Sequence, residues 1–195
     1  ILGYFIDSQS ESLLARLESF RTERRQRALA IMARLEQLGV PVDEHAVFAA
    51  AEPGVVGRPH VAHALVRAGH VPSVDVAFQA YLGARGAAIV QRPAFHSEDA
   101  IACIREAGGA SVLAHPGAHL PVTLVERLRE AGLDGIEVWH PVHGQNAVRH
   151  WREMAQKLGL IPSGGSDFHG THRGAGLGDM PVPERSVEAL HEAHR

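Results

Sequence analysis

Three short apolar runs, each closing on a histidine, constrain this chain more than any other feature. Ala110-Ser111-Val112-Leu113-Ala114 follows two glycines and ends in His115-Pro116-Gly117. Gly135-Ile136-Glu137-Val138-Trp139 ends in His140-Pro141-Val142-His143. A run over Leu158 to Ile161 leads into Ser163-Gly164-Gly165-Ser166-Asp167-Phe168-His169. Segments with helical periodicity precede and separate them: Ser97 to Ala107, Pro121 to Ala131, and Gln145 to Leu158. Strands alternating with helices argue for an α/β fold built on a parallel sheet or barrel. Such folds place their chemistry at the strand C-termini, where these histidines fall.

The third run ends in Asp-x-His. On extended backbone, residues two apart face the same side. A hard carboxylate oxygen and an imidazole nitrogen converging there suit a divalent metal such as Zn, Mn or Fe. The two preceding glycines allow a sharp turn and a close ligand approach. The competing reading is a Ser/Asp helix cap. The chain has 14 histidines, and most lie outside such motifs, so their default is a surface or satisfied role. Glu137, in mid-strand, reads as an acid supporting the site or the fold.

The segment from Ser8 to Pro93 has a different texture. Leu13 to Leu38 predicts a long helix with apolar Leu13, Leu14, Leu17, Ile31, Leu35 and Leu38, ended by Gly39. Its middle, Arg21-Thr22-Glu23-Arg24-Arg25-Gln26-Arg27, reads first as a solvated basic face, with room for one arginine on a phosphate. Shorter helices are predicted over Asp43 to Ala51, His60 to Ala68, and Ser73 to Leu82. Gly57-Arg58-Pro59-His60 is a helix start. Exposed N–H groups there favour an anion, and Arg58 adds a bidentate partner. An ordinary capped start fits the same residues equally well. The organisation expected is therefore the end of a barrel strand over 1–7, a helical insertion over 8–93, and barrel again over 94–195.

Net charge is −3, which gives no broad field for long nucleic acid. The single Cys103 excludes an intrachain disulfide. No window reaches transmembrane length, and a cytoplasmic location is the default. The opening run Ile1 to Asp7 looks like a core strand, so an upstream portion of the protein is expected.

Taken together, these stretches resemble the PHP (polymerase and histidinol phosphatase) metal-dependent phosphoesterases, in the branch of the 3′,5′-nucleoside bisphosphate phosphatases. The resemblance rests on Ile1-Leu2-Gly3 with Ile6-Asp7, Gly57-Arg58-Pro59-His60, Ala77-Phe78 with Tyr81-Leu82, and Ala107-Gly108-Gly109 through Gly117. It also rests on Gly135 to Val138, His140-Pro141 with His143, and Gly165 to Gly170. It implies part of a distorted (β/α)7 TIM-like barrel, the PHP fold, with an all-helical insertion.

The resemblance further implies two or three divalent metal ions, with Mn preferred and Zn or Fe as alternatives. Ligands fall on His115, Asp167 and His169; the family's other ligands would lie upstream of Ile1, which leaves this chain alone without turnover. The implied reaction is hydrolysis of a phosphate monoester by a metal-bound hydroxide. Arg58, His60, Arg92 and His143 are the candidates for gripping phosphates, with His143 also a candidate proton donor to the leaving oxygen. Ala88-Ile89-Val90-Gln91-Arg92 departs from the family pattern of an aromatic-Val pair before a basic residue. The expected partner is a small phosphorylated substrate or a short RNA 5′ end, with no long duplex and no membrane. Two other readings stand: a barrel hydrolase acting on an amide or lactone, and a PHP-like module that binds without catalysis.

Overall fold

The structure, a computed structural model, describes residues 1–92, 94–168 and 175–194. The chain divides into two units: Ile1–Leu14 with Phe95–Arg195, and Ala15–Ala94.

The first unit is an α/β layer with a four-stranded sheet in the order β1-β2-β3-β4. These strands are β1 (Leu2–Tyr4), β2 (Ala110–Leu113), β3 (Gly135–Trp139) and β4 (Ile161–Gly164). β2, β3 and β4 are parallel, as alternation with helices requires. β1 is antiparallel to β2, pairing Leu2 with Val112 and Tyr4 with Ala110, so the sheet is mixed. β4 starts three residues later than the apolar run suggested. The helix before it runs to Leu158, and Gly159 ends it at φ 63°. That residue takes the left-handed conformation which glycine adopts without strain.

Period-two alternation divides β3 between two environments. Ile136 and Val138 are fully buried in a core with Trp151, Leu128, Val125 and Ile101. Glu137 points the other way. On β2, Ala110 and Val112 pack with Leu190 in a separate small core. The helices numbered α5 (Ser97–Glu106), α6 (Val122–Glu130), α7 (Gln145–Leu158) and α8 (Glu184–Ala193) in the full chain belong to this unit. α7 packs on β3 and β4, and α8 on β4 and β2. Ser97 is the first helical residue of α5, not its cap; His96 holds that position without a side-chain bond.

The second unit is helical. It contains most of α1 (Glu11–Gln37), then α2 (Glu44–Ala49), α3 (Arg58–Arg67) and α4 (Val74–Ala77), the last running into a π-helical turn at Phe78–Leu82. Asp43 caps α2 by accepting the N–H groups of His45 and Ala46 at 2.9 and 3.3 Å. Ala28, Ile31, Met32 and Leu35 give α1 its buried stripe at i, i+3, i+4 and i+7, packed with Val47, Val61 and Leu65. Leu14, Leu17 and Leu38, also apolar positions of the predicted helix, are exposed. Gly39 ends α1 at φ 77°, with Val40 N–H donating to Leu35 O at 3.0 Å.

Candidate functional site

Strand ends in the α/β unit bring His115, His140, His143 and Asp167 together. The ring of His140 lies 5.3 Å from that of His115 and 5.7 Å from that of His143, centre to centre. Asp167 Oδ2 is 3.9 Å from His140 Nε2. His115 and Asp167 are exposed, whereas His140 and His143 are buried.

Backbone strain marks two of these positions. Apart from glycine, positive φ occurs among the described residues at Phe5, His115 (26°) and Asp167 (50°). Side-chain-bearing residues adopt that region at a cost of about 1–3 kcal/mol, and such strain clusters at functional sites. Asp167 therefore does not continue the strand. The strand stops at Gly164, and the same-face argument for Asp-x-His does not apply. A Cβ on Gly164 would stand 2.3 Å from Trp139 O, so the backbones of β3 and β4 approach each other here as only glycine permits. His169, the third expected ligand, lies outside the described residues.

The loop carrying His115 is fixed on three sides. Glu137, 5% exposed, accepts the His115 N–H at 2.6 Å. His143 Nε2 accepts the Gly117 N–H at 3.1 Å. Trp151 Nε1–H donates to Gly117 O at 2.5 Å. His143 Nδ1–H donates to Val138 O at 2.9 Å, so both ring nitrogens are engaged and the ring is the neutral Nδ1–H tautomer.

His140 is the residue that sequence reasoning passed over. The sequence pattern places it at a strand end and assigns it no role. Its Nδ1 accepts the Val142 N–H at 3.3 Å, and its Nε2 is buried without a hydrogen-bond partner among the described residues. Burial pushes its pKa down; Glu137 and Asp167 oppose this, and His115 and His143 reinforce it. A neutral imidazole with an unpaired buried nitrogen, beside a carboxylate and a second imidazole, fits a divalent cation. Among the described residues no three His, Cys, Asp or Glu groups form a complete cation site.

The other expected site residues lie in the helical unit. Arg58 Nη1 donates to Leu82 O at 2.9 Å, and its guanidinium sits 5.7 Å from the centre of the Phe78 ring. His60 Nδ1 accepts the Gly57 N–H at 3.0 Å, which makes it part of the cap of α3. Arg92 is exposed and lines a cavity with Arg58.

No family model matches the sequence. Over 180 residues the chain is 35% identical to the 3′,5′-nucleoside bisphosphate phosphatase of Chromobacterium violaceum, covering 89% of this chain and 63% of that protein. A 5′-3′ exoribonuclease of Haemophilus influenzae is 31% identical over 175 residues, with 87% and 63% covered. A solved structure assigned as a metal-dependent phosphoesterase, from Bifidobacterium adolescentis, superposes with a TM-score of 0.79 at 28% identity, over 96% of this chain and 68% of that one. A structure from Chromobacterium violaceum described as an amidohydrolase gives a TM-score of 0.73 at 31% identity, over 98% and 70%.

This chain belongs to the PHP family of metal-dependent phosphoesterases. It spans 63% of the length of each of the two curated relatives described above. Its strand-end histidines and Asp167 stand in the unit that contains the sheet. Among the described residues no helix is long and apolar enough to cross a membrane.

Proposed function

We propose that the protein hydrolyses a phosphate monoester of a small nucleotide, a 3′,5′-bisphosphate or a short RNA 5′ end. The observation that carries this is the buried, unpaired Nε2 of His140 between His115 and Asp167 at the strand ends. The names of the relatives supply the substrate class. On this reading the sheet is part of a PHP barrel, and the location is cytoplasmic.

His115, Asp167 and His169 would hold divalent cations, Mn before Zn or Fe, and His140 stands beside them. Such cations supply Lewis-acid charge that polarises a phosphoryl group and acidifies water. The chain's own residues do the rest. Asp167 provides fixed negative charge against the cations. Glu137 and Trp151 hold the His115 turn in its strained conformation, so the imidazole is aimed before substrate arrives. His143 carries its proton on Nδ1. To protonate a leaving oxygen it would take up a second proton on Nε2 and release Gly117. Arg58, His60 and Arg92 are proposed to grip phosphate through the helical unit, which suits a substrate with two separated phosphates.

The description of one structural neighbour as an amidohydrolase favours amide hydrolysis as the second reading. The test is phosphate release from adenosine 3′,5′-bisphosphate and from a 5′-phosphorylated dinucleotide, with Mn added, by the full-length protein in its wild-type and Asp167→Asn forms. We expect release by the wild type and a loss of at least about 100-fold in the variant, as for removal of a group that acts on the transition state. Wild-type protein that binds Mn and releases no phosphate from either compound overturns the proposal.

A further inference from the structure

Two of the described non-glycine residues with positive φ, His115 and Asp167, stand at the strand ends. The third is Phe5, at 55°, just past β1. Strain of this kind persists only where the surroundings hold it, and it points to a constraint on the local structure. The Phe5 ring packs on two histidines of the α8 end. Its centre lies 5.0 Å from that of His191, edge to face at 87°. It lies 5.7 Å from that of His194, close to parallel at 22°.

His191 and His194 are one turn apart and share a face of the helix. Their ring centres lie 5.3 Å apart. Two imidazoles on one tetrahedral ion, each nitrogen at about 2.0–2.1 Å, bring their ring centres to about 5 Å. His194 Nδ1–H donates to Gly108 O at 2.7 Å, which fixes the tautomer and leaves the Nε2 lone pair for a ligand bond. A backbone carbonyl on the far ring nitrogen is the usual support of a metal-bound histidine. His191 has no hydrogen bond or ion pair with a described residue, so neither of its nitrogens is taken by one. Phe5 restrains both rings, which lowers the entropy lost when they close on an ion.

Charge and donor type narrow the ligand. His194 is the C-cap of the ten-residue α8, the end where the helix dipole is negative and favours a cation. Glu188, one turn before His191, is exposed and adds negative charge. Among the described residues no third His, Cys, Asp or Glu completes the pair. Water therefore fills the rest of the shell, and the ion exchanges more readily than in a closed four-ligand site. Two imidazole nitrogens select Zn(II) and its borderline neighbours Ni(II) and Cu(II), whereas Mn(II) prefers oxygen.

We propose that His191 and His194 form a second metal site, for a borderline divalent cation of the Zn(II) class, which pins the end of α8 to the sheet. Gly108 precedes β2 and His115 follows it, so this pair stands at the opposite end of that strand from the candidate ligands of the reaction. The ion takes no part in hydrolysis. His194 is tied to the turn before β2 and both rings rest on the residue after β1, so closing the two imidazoles on one ion joins three elements. The strained Phe5 is the wall that holds the rings for it.

The test uses the full-length protein carrying Asp167→Asn and His115→Ala, so that the strand-end site is weakened. Equilibrium dialysis against Zn(II) should give one equivalent more per chain than in the same protein with His191→Gln added. Dialysis against Mn(II) should show no such difference. His191→Gln keeps the His194 bond to Gly108, so the fold should survive it, and His194→Gln should lose the same equivalent. Zn(II) should also slow hydrogen exchange of the α8 amides at least tenfold, and His191→Gln should abolish that protection. Equal Zn(II) content in the parent and both variants, with unchanged melting curves, overturns the site and leaves the rings as packing alone. A lost equivalent with no change in α8 exchange overturns the pinning role. Where a variant melts early, the unsubstituted His pair decides. Zn(II) protection concentrated in α8 and the turn at Phe5 supports the site, and its absence overturns it.

Discussion

Glu137 accepts the backbone N–H of His115 at 2.6 Å, so an acid in the middle of β3 fixes the turn at the end of β2. The carboxylate is buried, and the N–H it accepts belongs to a residue at φ 26°. A charge-assisted bond of this kind holds a strained turn that a neutral contact would hold less well. Glu137→Ala leaves a part-buried donor unpaired and should cost about 1–3 kcal/mol. Urea unfolding measures that loss. Metal retention on dialysis should fall in the same variant, whereas a purely structural role would leave retention unchanged in the folded fraction.

Metal content tests the candidate ligands directly. Elemental analysis of the protein loaded with Mn and desalted should show less metal in an Asp167→Asn, His115→Ala double variant than in wild type. Both side chains are exposed, so the fold should survive the changes. Equal metal content in the two proteins would remove these residues from the ligand set.

Trp151 separates packing from positioning. It is fully buried, and its Nε1–H reaches Gly117 O. Trp151→Phe keeps most of the ring and loses the bond, for an expected cost of about 1–3 kcal/mol as the carbonyl loses its partner. Trp151→Ala also opens a cavity and should cost about 3–5 kcal/mol. Thermal melts of the two variants should therefore rank wild type, Phe, Ala in falling order. Equal melting temperatures for wild type and Trp151→Phe would show that the Gly117 contact contributes nothing.

Gly164 is a steric requirement. Its absent Cβ would fall 2.3 Å from Trp139 O and 2.8 Å from Trp139 Cβ. Gly164→Ala must push β4 away from β3, and overpacking of this kind typically costs about 1–3 kcal/mol. A melting temperature equal to wild type would mean that the close approach relaxes freely.

Arg58 tests the two-phosphate reading. Arg58→Ala should lower kcat/KM for adenosine 3′,5′-bisphosphate at least tenfold more than for an aryl monophosphate. Only the first has a second phosphate whose binding orients the reacting one. Equal losses on both substrates would place Arg58 in the fold or on the reacting phosphate, and its bond to Leu82 O offers the structural route.

Local pattern was enough to read the α/β alternation, the helix end at Gly39, and histidines at strand ends. Those features depend on residues a few positions apart: helical spacing of apolar side chains, strand alternation, and glycine's freedom at positive φ. The family could be read from the order of these motifs, and the relatives agree. Contacts distant in sequence were not legible. Nothing near Glu137 says that its carboxylate meets the backbone of residue 115, and nothing near Trp151 says that it binds Gly117. The antiparallel edge of β1 was hidden for the same reason, since pairing direction is set by which strand the chain returns to. The arginine run on α1 looked uniform in sequence. Tertiary packing sorted it, turning Arg25 toward Phe48 and leaving Arg24 and Arg27 on a cavity, while Arg21 meets Glu18 one turn away on its own helix. His140 gained its place in the site the same way: burial stripped its Nε2 of water while the fold brought His115 and Asp167 to it. Sequence determines which groups can ligate or cap, but desolvation and long-range proximity decide which of them are left to act, and both exist only once the chain is packed.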